Sequence, residues 1–253
     1  MDNIINNFEK LPFSKKIGNN CEISKDVIIG SNYQIGNNVT IYSGTVIGDN
    51  VKIYDGAIIG TDPQHINFDI NINTNVVIGD NVIIREYVTI SRSTSKDTPT
   101  TIGDGCYLMN YSHVSHDTIL GKNVILANSV QIGGHSIIGD YSFMGGGVLI
   151  HQNSKVGKHV MVGGGAAVIK DVIPYSLVNN NSILKGINIM GIKRYGDIKN
   201  ISHIKKLFDI LKEDVILKER VKKIKTYNTK ESQEICDFIE SSKRRLMLWE
   251  KNY

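Results

Sequence analysis

The residues best suited to chemistry in this 253-residue chain are its histidines, seven in all. Five of them fall in one stretch: His113, His116, His135, His151 and His159. A free imidazole has a pKa of about 6.5, so a neutral histidine can accept a proton near neutral pH as a general base. His116 is followed directly by Asp117, whose carboxylate could orient the ring or stabilise its protonated form. The pattern indicates acid–base chemistry centred on His116.

Metal binding is the competing interpretation of these histidines, because imidazole suits zinc. However, ligands on successive strands would lie about 4.8 Å apart, and no cysteine or glutamate completes a close set. We therefore expect neither a metal nor a resident cofactor. The three cysteines, Cys21, Cys106 and Cys236, have neither disulfide nor metal-ligand spacing, which favours a reduced, cytoplasmic setting.

A repeat of six residues carries these histidines. Every sixth residue is apolar from Ile17 to Ile59 and again from Ile102 to Val168, and glycine follows several of them. This period is typical of a hexapeptide β-helix, in which each hexad forms a short strand and a bend. Three hexads, about 18 residues, close one triangular coil whose aliphatic side chains stack inward. The glycine runs 145–147 and 163–165 fit tight bends in such a coil.

The repeat also predicts where the histidines lie. None occupies a sixth-residue position, so each should face outward or lie at a bend. His116 and His135 are 19 residues apart and should lie on neighbouring coils along one edge. His151 should follow about two coils above His116, which gives a column of imidazoles. Because adjacent strand residues point apart, a pairing of His116 with Asp117 requires a bend.

Breaks in the repeat divide the chain. Residues 1–16 form an N-terminal lead-in, with a short helix as one option near residues 3–10. Residues 17–175 form the β-helix, interrupted by loops at 60–77 and 91–101 that carry Pro63 and Pro99. Residues 176–253 form a linker and an α-helical C-terminal domain, with helices predicted from about Ile201, from Val215 and after a cap at Asn228 or Thr229.

Charge and hydropathy limit the partners. A net charge of +4 is too small to argue for nucleic acid, and no apolar run approaches the roughly 18 residues of a transmembrane segment. Residues 202–225 hold eight Lys and Arg against four Asp and Glu, a local charge of +4. This basic tail is either a solvated helical face or a docking surface for an acidic partner.

Several motifs point to one family. The segment Asn110-Tyr-Ser-His-Val-Ser-His-Asp117 resembles the active-site segment of the bacterial UDP-N-acetylglucosamine O-acyltransferases, the first enzymes of lipid A synthesis. The likeness extends through Gly133-Gly-His135, His151-Gln152, the segment from His159 to Gly164, and Gly191-Ile-Lys-Arg194, and covers about residues 17–196. The resemblance implies a mainly β fold, a left-handed parallel β-helix with an α-helical tail. It also implies a homotrimer with each site between two subunits.

The same resemblance implies roles for particular residues. His116 would be the general base that deprotonates a sugar 3-hydroxyl, Asp117 would support it, and the Gly134 N–H would stabilise the oxyanion. The acyl donor would be an acyl carrier protein (ACP) thioester, and the basic tail would meet that acidic protein. The substrate-binding residues would be Gln64, Asn67, Ser91, His113, His135, His151, Gln152, Asn188 and Arg194. Met161 and Gly164 would line the acyl groove.

The departures from the family pattern lie on the sugar-nucleotide side. They are the loop segment Gln64-His65-Ile66-Asn67, Ser91 in place of a histidine, Met190 in place of a glutamate, and Tyr195 in place of a second arginine. Two alternatives therefore stay open. One is an N-acetyltransferase that uses acetyl-CoA on a nucleotide-linked amino sugar. The other is a non-catalytic trimeric scaffold.

Overall fold

The computed structural model describes residues 17–195 and 201–249, so the predicted lead-in at 1–16 lies outside the described residues. The chain winds around a triangular prism, placing successive strands on three faces in turn, so that every third strand pairs in parallel. The predicted left-handed parallel β-helix with a helical tail is confirmed. We number the faces 1, 2 and 3 in chain order.

Three sheets form these faces, and all their strand pairs are parallel except the last pair of face 3. Face 1 contains β1 (Glu22–Ile23), β4 (Thr40–Ile41), β7 (Ile58–Thr61), β10 (Thr89–Ser91), β13 (His113–Val114), β16 (Gln131–Ile132), β19 (Leu149–Ile150) and β22 (Ala167–Val168). Face 2 contains β2 (Ile28–Ile29), β5 (Thr45–Ile47), β8 (Val76–Ile78), β11 (Thr100–Ile102), β14 (Ile119–Leu120), β17 (Ile137–Ile138) and β20 (Lys155–Val156). Face 3 contains β3 (Gln34–Ile35), β6 (Lys52–Ile53), β9 (Ile83–Ile84), β12 (Tyr107–Leu108), β15 (Ile125–Leu126), β18 (Phe143–Met144), β21 (Met161–Val162), β23 (Ser176–Val178) and β24 (Leu184–Ile187).

The sixth-residue aliphatic side chains form one continuous core. From Ile35 to Val168 each member of the series is at most 4% exposed, because it points into the prism and stacks on its counterpart one coil away. Ile17 in the first coil is 36% exposed, since no coil that the structure describes lies below it. Burial of this column is the main source of stability for strands that are only two to four residues long.

The corners depend on left-handed backbone. Gly147 and Gly165 have φ values of +68° and +73°, so both glycine runs lie at bends as expected. Non-glycine corner residues adopt the same region, among them Asn50 at 58° and Asp117 at 59°. Asparagine and aspartate tolerate this region better than most residues.

Both loops leave the prism at the same corner, where face 1 turns into face 2. The first occupies residues 62–75, a shorter segment than the expected 60–77, because β7 continues to Thr61 and β8 begins at Val76. The second occupies residues 92–99 rather than 91–101. Ile78 pairs with Ile47, so the inward series resumes on face 2 after the first loop. Each loop lengthens the bend at this corner without removing a strand, and the two loops belong to adjacent coils because β7 pairs with β10.

The C-terminal part begins with structure that the sequence did not reveal. The expected linker contains the antiparallel pair β23 and β24 and a helix, α1 (Ile189–Tyr195). These elements are too short for a periodic pattern to distinguish them from a loop. Three helices follow as expected: α2 (Ile201–Lys212), α3 (Leu217–Lys225) and α4 (Lys230–Ser241), the last capped by Thr229.

The tail packs on the end of the prism. Met247 donates its N–H to Asp171 O at 2.7 Å and is buried in the β-helix core, and Trp249 contacts both that core and the helical one. In the described part of the chain, every helix is too short and too polar to cross a lipid bilayer.

Candidate active site

His116 and Asp117 form a hydrogen-bonded pair at the corner between faces 1 and 2. His116 Nδ1 lies 2.7 Å from Asp117 Oδ2, and the His116 residue is 5% exposed. Asp117 has a φ of 59°, which supplies the bend that neighbouring residues need before their side chains can meet. The pairing assigns the Nδ1 proton to the side of the carboxylate and leaves Nε2 as the nitrogen free to take up a proton.

The second loop holds the Asp117 carboxylate. Ser93 Oγ lies 2.5 Å from Oδ1, the Thr94 N–H donates to Oδ1 at 3.0 Å, and Thr94 Oγ1 lies 2.8 Å from Oδ2. The Asp117 N–H in turn donates to Thr100 Oγ1 at 2.9 Å. Burial opposes ionisation of Asp117, but hydrogen bonds from Ser93, His116 and Thr94 outweigh it and keep the Asp117 pKa below its usual range. The carboxylate is therefore charged at neutral pH.

Sequence reasoning did not identify Ser93, Thr94 or Thr100. A run of serines and threonines in a loop is common, and only the position of the loop beside Asp117 gives these three a role.

Gly134 and His135 lie on the next coil, directly beside the pair. A Cβ built on Gly134 would fall 2.6 Å from Cε1 and 2.8 Å from Nε2 of His116, so only glycine leaves room for the ring. Among the described residues, no acceptor pairs with the Gly134 N–H. His135 packs edge-on against His116 at 5.1 Å between ring centroids, and His135 Nε2 lies 3.6 Å from Asp117 Oδ2.

Two further imidazoles surround His116. His113 Nδ1 lies 2.7 Å from Thr89 Oγ1 on the preceding coil, and burial lowers the pKa of His113, with the neighbouring His116 adding to that effect. His65, from the first loop, packs edge-on against His116 at 5.6 Å. The site thus holds four imidazole rings, those of His65, His113, His116 and His135, around one carboxylate.

The predicted column of imidazoles does not extend to His151. The residue one coil of 18 after His135 is Asn153, whose N–H donates to Gly134 O at 2.8 Å, just as the His135 N–H donates to His116 O at 3.0 Å. His151 is exposed, and its Nδ1 lies 3.0 Å from the carbonyl oxygen of Gln152. His151 and Gln152 therefore share the corner of His116, but His151 lies two residues before the position in line with His135, and Gln152 lies one residue before it.

Of the other residues predicted to bind the sugar nucleotide near His116, two are exposed and one is buried. Gln64 and Asn67 are exposed on the first loop, near the corner that carries His116. Ser91 is only 1% exposed and its Oγ lies 3.2 Å from Thr61 Oγ1, so it packs inside the loop base instead of facing a substrate. A serine is too short to reach out from that position, unlike the longer histidine of the family pattern.

A second recess lies on face 3, away from the His116 corner. It is a cavity of about 270 Å³ whose lining includes Phe143, Met161, Asn188, Arg194 and Tyr195. The Asn188 side chain makes two hydrogen bonds within the fold: its amide nitrogen donates to His159 O at 2.9 Å, and its amide oxygen accepts from the Gly191 N–H at 2.9 Å. Within one chain, Met161, Asn188 and Arg194 are not brought together with His116.

Outward-facing residues of face 3 extend this recess into an apolar stripe. Ile125, Phe143, Met161 and Leu177 stand in register on β15, β18, β21 and β23. Gly164 is exposed at the next bend. The sequence carried a signal for the stripe, because each of the first three residues directly precedes a core position.

His116, Asp117 and His135 also place ligand atoms within 4.8 Å of one another, a spacing that a metal ion could use. However, the Asp117 carboxylate already receives hydrogen bonds from His116, Ser93 and Thr94. These hydrogen bonds explain why the three ligand atoms lie close together, and they favour an acid–base pair over a metal site.

Comparison with known proteins identifies the family. The family model described as UDP-N-acetylglucosamine O-acyltransferase, domain 2, matches residues 171–247, and the bacterial transferase hexapeptide model matches residues 26–61 and 99–134. An acyl-[acyl-carrier-protein]–UDP-N-acetylglucosamine O-acyltransferase from Campylobacter lari is 39% identical over 195 residues, which cover 76% of this chain and 74% of the relative. The chain belongs to the UDP-N-acetylglucosamine O-acyltransferase family. It is therefore an acyltransferase, as the resemblance in its sequence implied.

Other members agree. The relative of the same name from Sulfurihydrogenibium is 51% identical over 188 residues, covering 72% of this chain and 69% of the relative. The solved UDP-N-acetylglucosamine acyltransferase from Francisella novicida superposes with a TM-score of 0.89 at 36% identity, covering 93% of this chain and 88% of that chain. The solved family member from Campylobacter jejuni gives a TM-score of 0.84 at 33% identity over 93% of this chain and 95% of that one. The family fold thus includes both the prism and the helical tail.

Proposed function

We propose that the protein transfers an acyl group from an acyl carrier protein thioester to the 3-hydroxyl of UDP-N-acetylglucosamine, with His116 as the general base. The observation that carries the proposal is the buried His116–Asp117 pair, with Nδ1 held at 2.7 Å from the carboxylate and Nε2 over the glycine of the next coil. The names of the family members supply the donor and the acceptor.

The reaction follows from this arrangement. His116 Nε2 removes the proton from the sugar hydroxyl as its oxygen attacks the thioester carbonyl carbon. The tetrahedral oxyanion that forms accepts a hydrogen bond from the Gly134 N–H. When the intermediate collapses, the carbon–sulfur bond breaks and the departing thiolate takes the proton from the imidazolium of His116. Asp117 stays ionised and stabilises that imidazolium throughout.

Substrate binding divides between two surfaces. His113, His135, His151 and Gln152 lie around the corner of His116 and would contact the sugar and diphosphate, together with the exposed Gln64 and Asn67 of the first loop. Arg194 and Asn188 line the face-3 cavity and would meet the nucleotide or its phosphates. The face-3 stripe, including Met161 with Gly164 at its bend, provides the apolar wall that an acyl chain needs.

A homotrimer would bring these two surfaces together. Because the His116 corner and face 3 lie apart on one prism, a complete site requires face 3 of a neighbouring subunit beside this corner. Packing of prisms about a threefold axis would produce such a site at each subunit boundary. We therefore propose a trimeric enzyme with three shared sites.

Two further features support an acyl carrier protein donor and a cytoplasmic setting. The basic tail offers a surface for the acidic carrier protein, although Lys223 and Lys225 are paired with Glu213 and Glu240 at 2.5 and 2.6 Å. Cys21, Cys106 and Cys236 are free thiols, which supports a cytoplasmic setting. Neither the reaction nor the residues require a metal or resident cofactor.

The direct test is product formation. The purified protein is incubated with UDP-N-acetylglucosamine and a 3-hydroxyacyl carrier protein, and in parallel with acetyl-CoA and a panel of nucleotide amino sugars. Mass spectrometry of an acylated UDP-sugar in the first reaction supports the proposal. Product in the second reaction alone would favour the N-acetyltransferase, and product in neither would favour the scaffold.

A further inference from the structure

Three consecutive residues, Arg92, Ser93 and Thr94, begin the second loop. Arg92 contacts the first loop, and Ser93 and Thr94 contact the Asp117 carboxylate. Ser93 is fully buried although it is a polar loop residue. A buried hydroxyl is costly unless it is hydrogen-bonded. Its partner here is the Asp117 carboxylate, so the loop is built around that one acceptor.

The hydroxyl proton of Ser93 has a choice of acceptors. Asp117 Oδ1 lies 2.5 Å from Ser93 Oγ, and the carbonyl oxygen of Ser95 lies 3.1 Å away. The carboxylate is both closer and charged, and hydrogen bonds to charged acceptors are about twice as strong. The Ser95 N–H donates back to Ser93 Oγ at 2.9 Å, which fixes the hydroxyl in place. Ser93 therefore donates to Asp117.

Thr94 contacts both oxygens of the same carboxylate. Its N–H reaches Oδ1 and its hydroxyl lies 2.8 Å from Oδ2, the oxygen that also faces His116. With these donors in place, the carboxylate plane cannot turn without losing several hydrogen bonds together. The orientation of Oδ2 toward His116 Nδ1 is thus set by the loop and not by the strand that carries Asp117.

We propose that Ser93 and Thr94 are positioning residues for the catalytic base. They hold Asp117 ionised and oriented, and Asp117 in turn keeps the His116 proton on Nδ1, so that Nε2 is free to accept the substrate proton. This role rests on the proposed function only in taking His116 as the base. Ser93 and Thr94 do not contact the substrate in this mechanism.

Arg92 links the same segment to the first loop. Its Nε lies 3.0 Å from Asp62 Oδ1, its Nη1 donates to Ile72 O at 2.8 Å, and its guanidinium lies 5.0 Å over the ring of Phe68. The loop that Arg92 fastens carries His65 against His116. One short segment therefore supports both the first loop, through Arg92, and the His116–Asp117 pair, through Ser93 and Thr94.

The test compares Thr94→Val, which removes only the hydroxyl, with Thr94→Ser, which keeps it, and adds Ser93→Ala. The readouts are kcat, KM for both substrates, and the ¹⁵N chemical shifts of the His116 ring, assigned with His116→Gln. Ser93→Ala and Thr94→Val should each lower kcat about tenfold, because each removes a hydrogen bond to a charged group. KM should stay within about twofold, since transition-state positioning is what is lost.

The ¹⁵N shifts of the His116 ring report its tautomer, which would not change if Ser93 and Thr94 only stabilised the fold. Wild type and Thr94→Ser should show the Nδ1–H tautomer of His116, and Ser93→Ala and Thr94→Val a mixture with the Nε2–H form. Arg92→Gln should instead raise KM for the nucleotide sugar and leave the tautomer unchanged. Melting temperatures of all variants establish that each is folded.

Unchanged kcat and unchanged ring shifts in folded Ser93→Ala and Thr94→Val would overturn the proposal, as would equal losses in Thr94→Ser and Thr94→Val. Because the shifts are recorded without substrate, failure of the proposed function is separable. If wild type acylates no UDP-sugar but the tautomer still responds to Ser93 and Thr94, the positioning role stands and the substrate assignment is wrong.

Discussion

Gly134 lies so close to the ring of His116 that a methyl group at position 134 would fall 2.6 Å from Cε1 and 2.8 Å from Nε2. The glycine therefore does two things at once. It leaves room for the ring beside Asp117, and it brings a backbone N–H close to Nε2, the nitrogen proposed to act as the base. A side chain at position 134 would separate these two functions.

Gly134→Ala should consequently displace the His116 ring. We expect kcat to fall about 10²-fold, since a shift near 1 Å in a catalytic group has effects of that order. Kinetics with the carrier protein donor measure this. Gly146→Ala is the matched folding control, because a Cβ there would meet only Asn128 O at 3.5 Å. Near wild-type activity in the Gly134→Ala variant would contradict the close packing of ring and glycine.

His116→Ala should lower kcat by about 10²–10⁴-fold, the range for loss of a general base. Circular dichroism and thermal melting should show a folded protein, because His116 lies at a corner of the prism and is not part of its aliphatic core. A loss under tenfold in a folded variant would exclude His116 as the base. Asp117→Asn tests the partner, and it should also reduce kcat by disturbing the tautomer of the ring.

Gly164→Met should change the preferred acyl chain length. Gly164 is exposed at the end of the face-3 stripe, and a Cβ there would lie 3.1 Å from Gly146 O, a contact that a small shift relieves. The new side chain would occupy the groove, so kcat/KM should shift toward shorter acyl donors across a series of chain lengths. If all donors are affected equally, the acyl chain does not pass Gly164.

His159 predicts a pH dependence of stability. It is buried between Tyr141 and Tyr175, stacked at 4.9 and 5.6 Å, and burial, helped by Lys158, lowers its pKa to about 4. The unfolded chain protonates this residue near pH 6.5, so the unfolded state binds more protons between about pH 6.5 and pH 4. Stability should therefore be full above pH 6.5 and fall as pH drops through this window.

Urea unfolding at several pH values between 4 and 8 measures the slope. His159→Asn is the comparison, because asparagine accepts the φ of 54° at this corner. The variant is expected to be less stable overall, but its stability should depend less on pH in this window. Identical slopes in both proteins would mean that His159 does not titrate on unfolding.

The basic tail predicts a donor-specific effect. Replacing Lys222, Lys223 and Lys225 with alanine should raise KM for an acyl carrier protein donor while leaving KM for a small acyl thioester unchanged, because only the protein donor needs the charged surface. High salt should weaken the wild-type interaction in the same way. Equal changes with both donors would remove the docking surface from the proposal.

Much of the fold follows from the sequence. The period of six from Ile35 to Val168 determines the core, the three faces and the corners, because a residue that repeats at every strand must face the axis of the coil. The same period places His116 and His135 on adjacent coils at one corner. The His-Asp neighbours, with the motif around them, indicate a general base and its family without any coordinates.

Only the tertiary structure decided which residues complete the site. Ser93 and Thr94 reach Asp117 because the second loop folds back on its own corner, and loop conformation has no periodic signal in sequence. His151 leaves the line of imidazoles because its position differs by two residues from the coil repeat, a distance that decides contact although it looks small along the chain. The apolar stripe of face 3 and the His116 corner lie on different sides of the prism, because closing the coil points its three faces in different directions. That separation is the reason for proposing that each site is shared between two subunits.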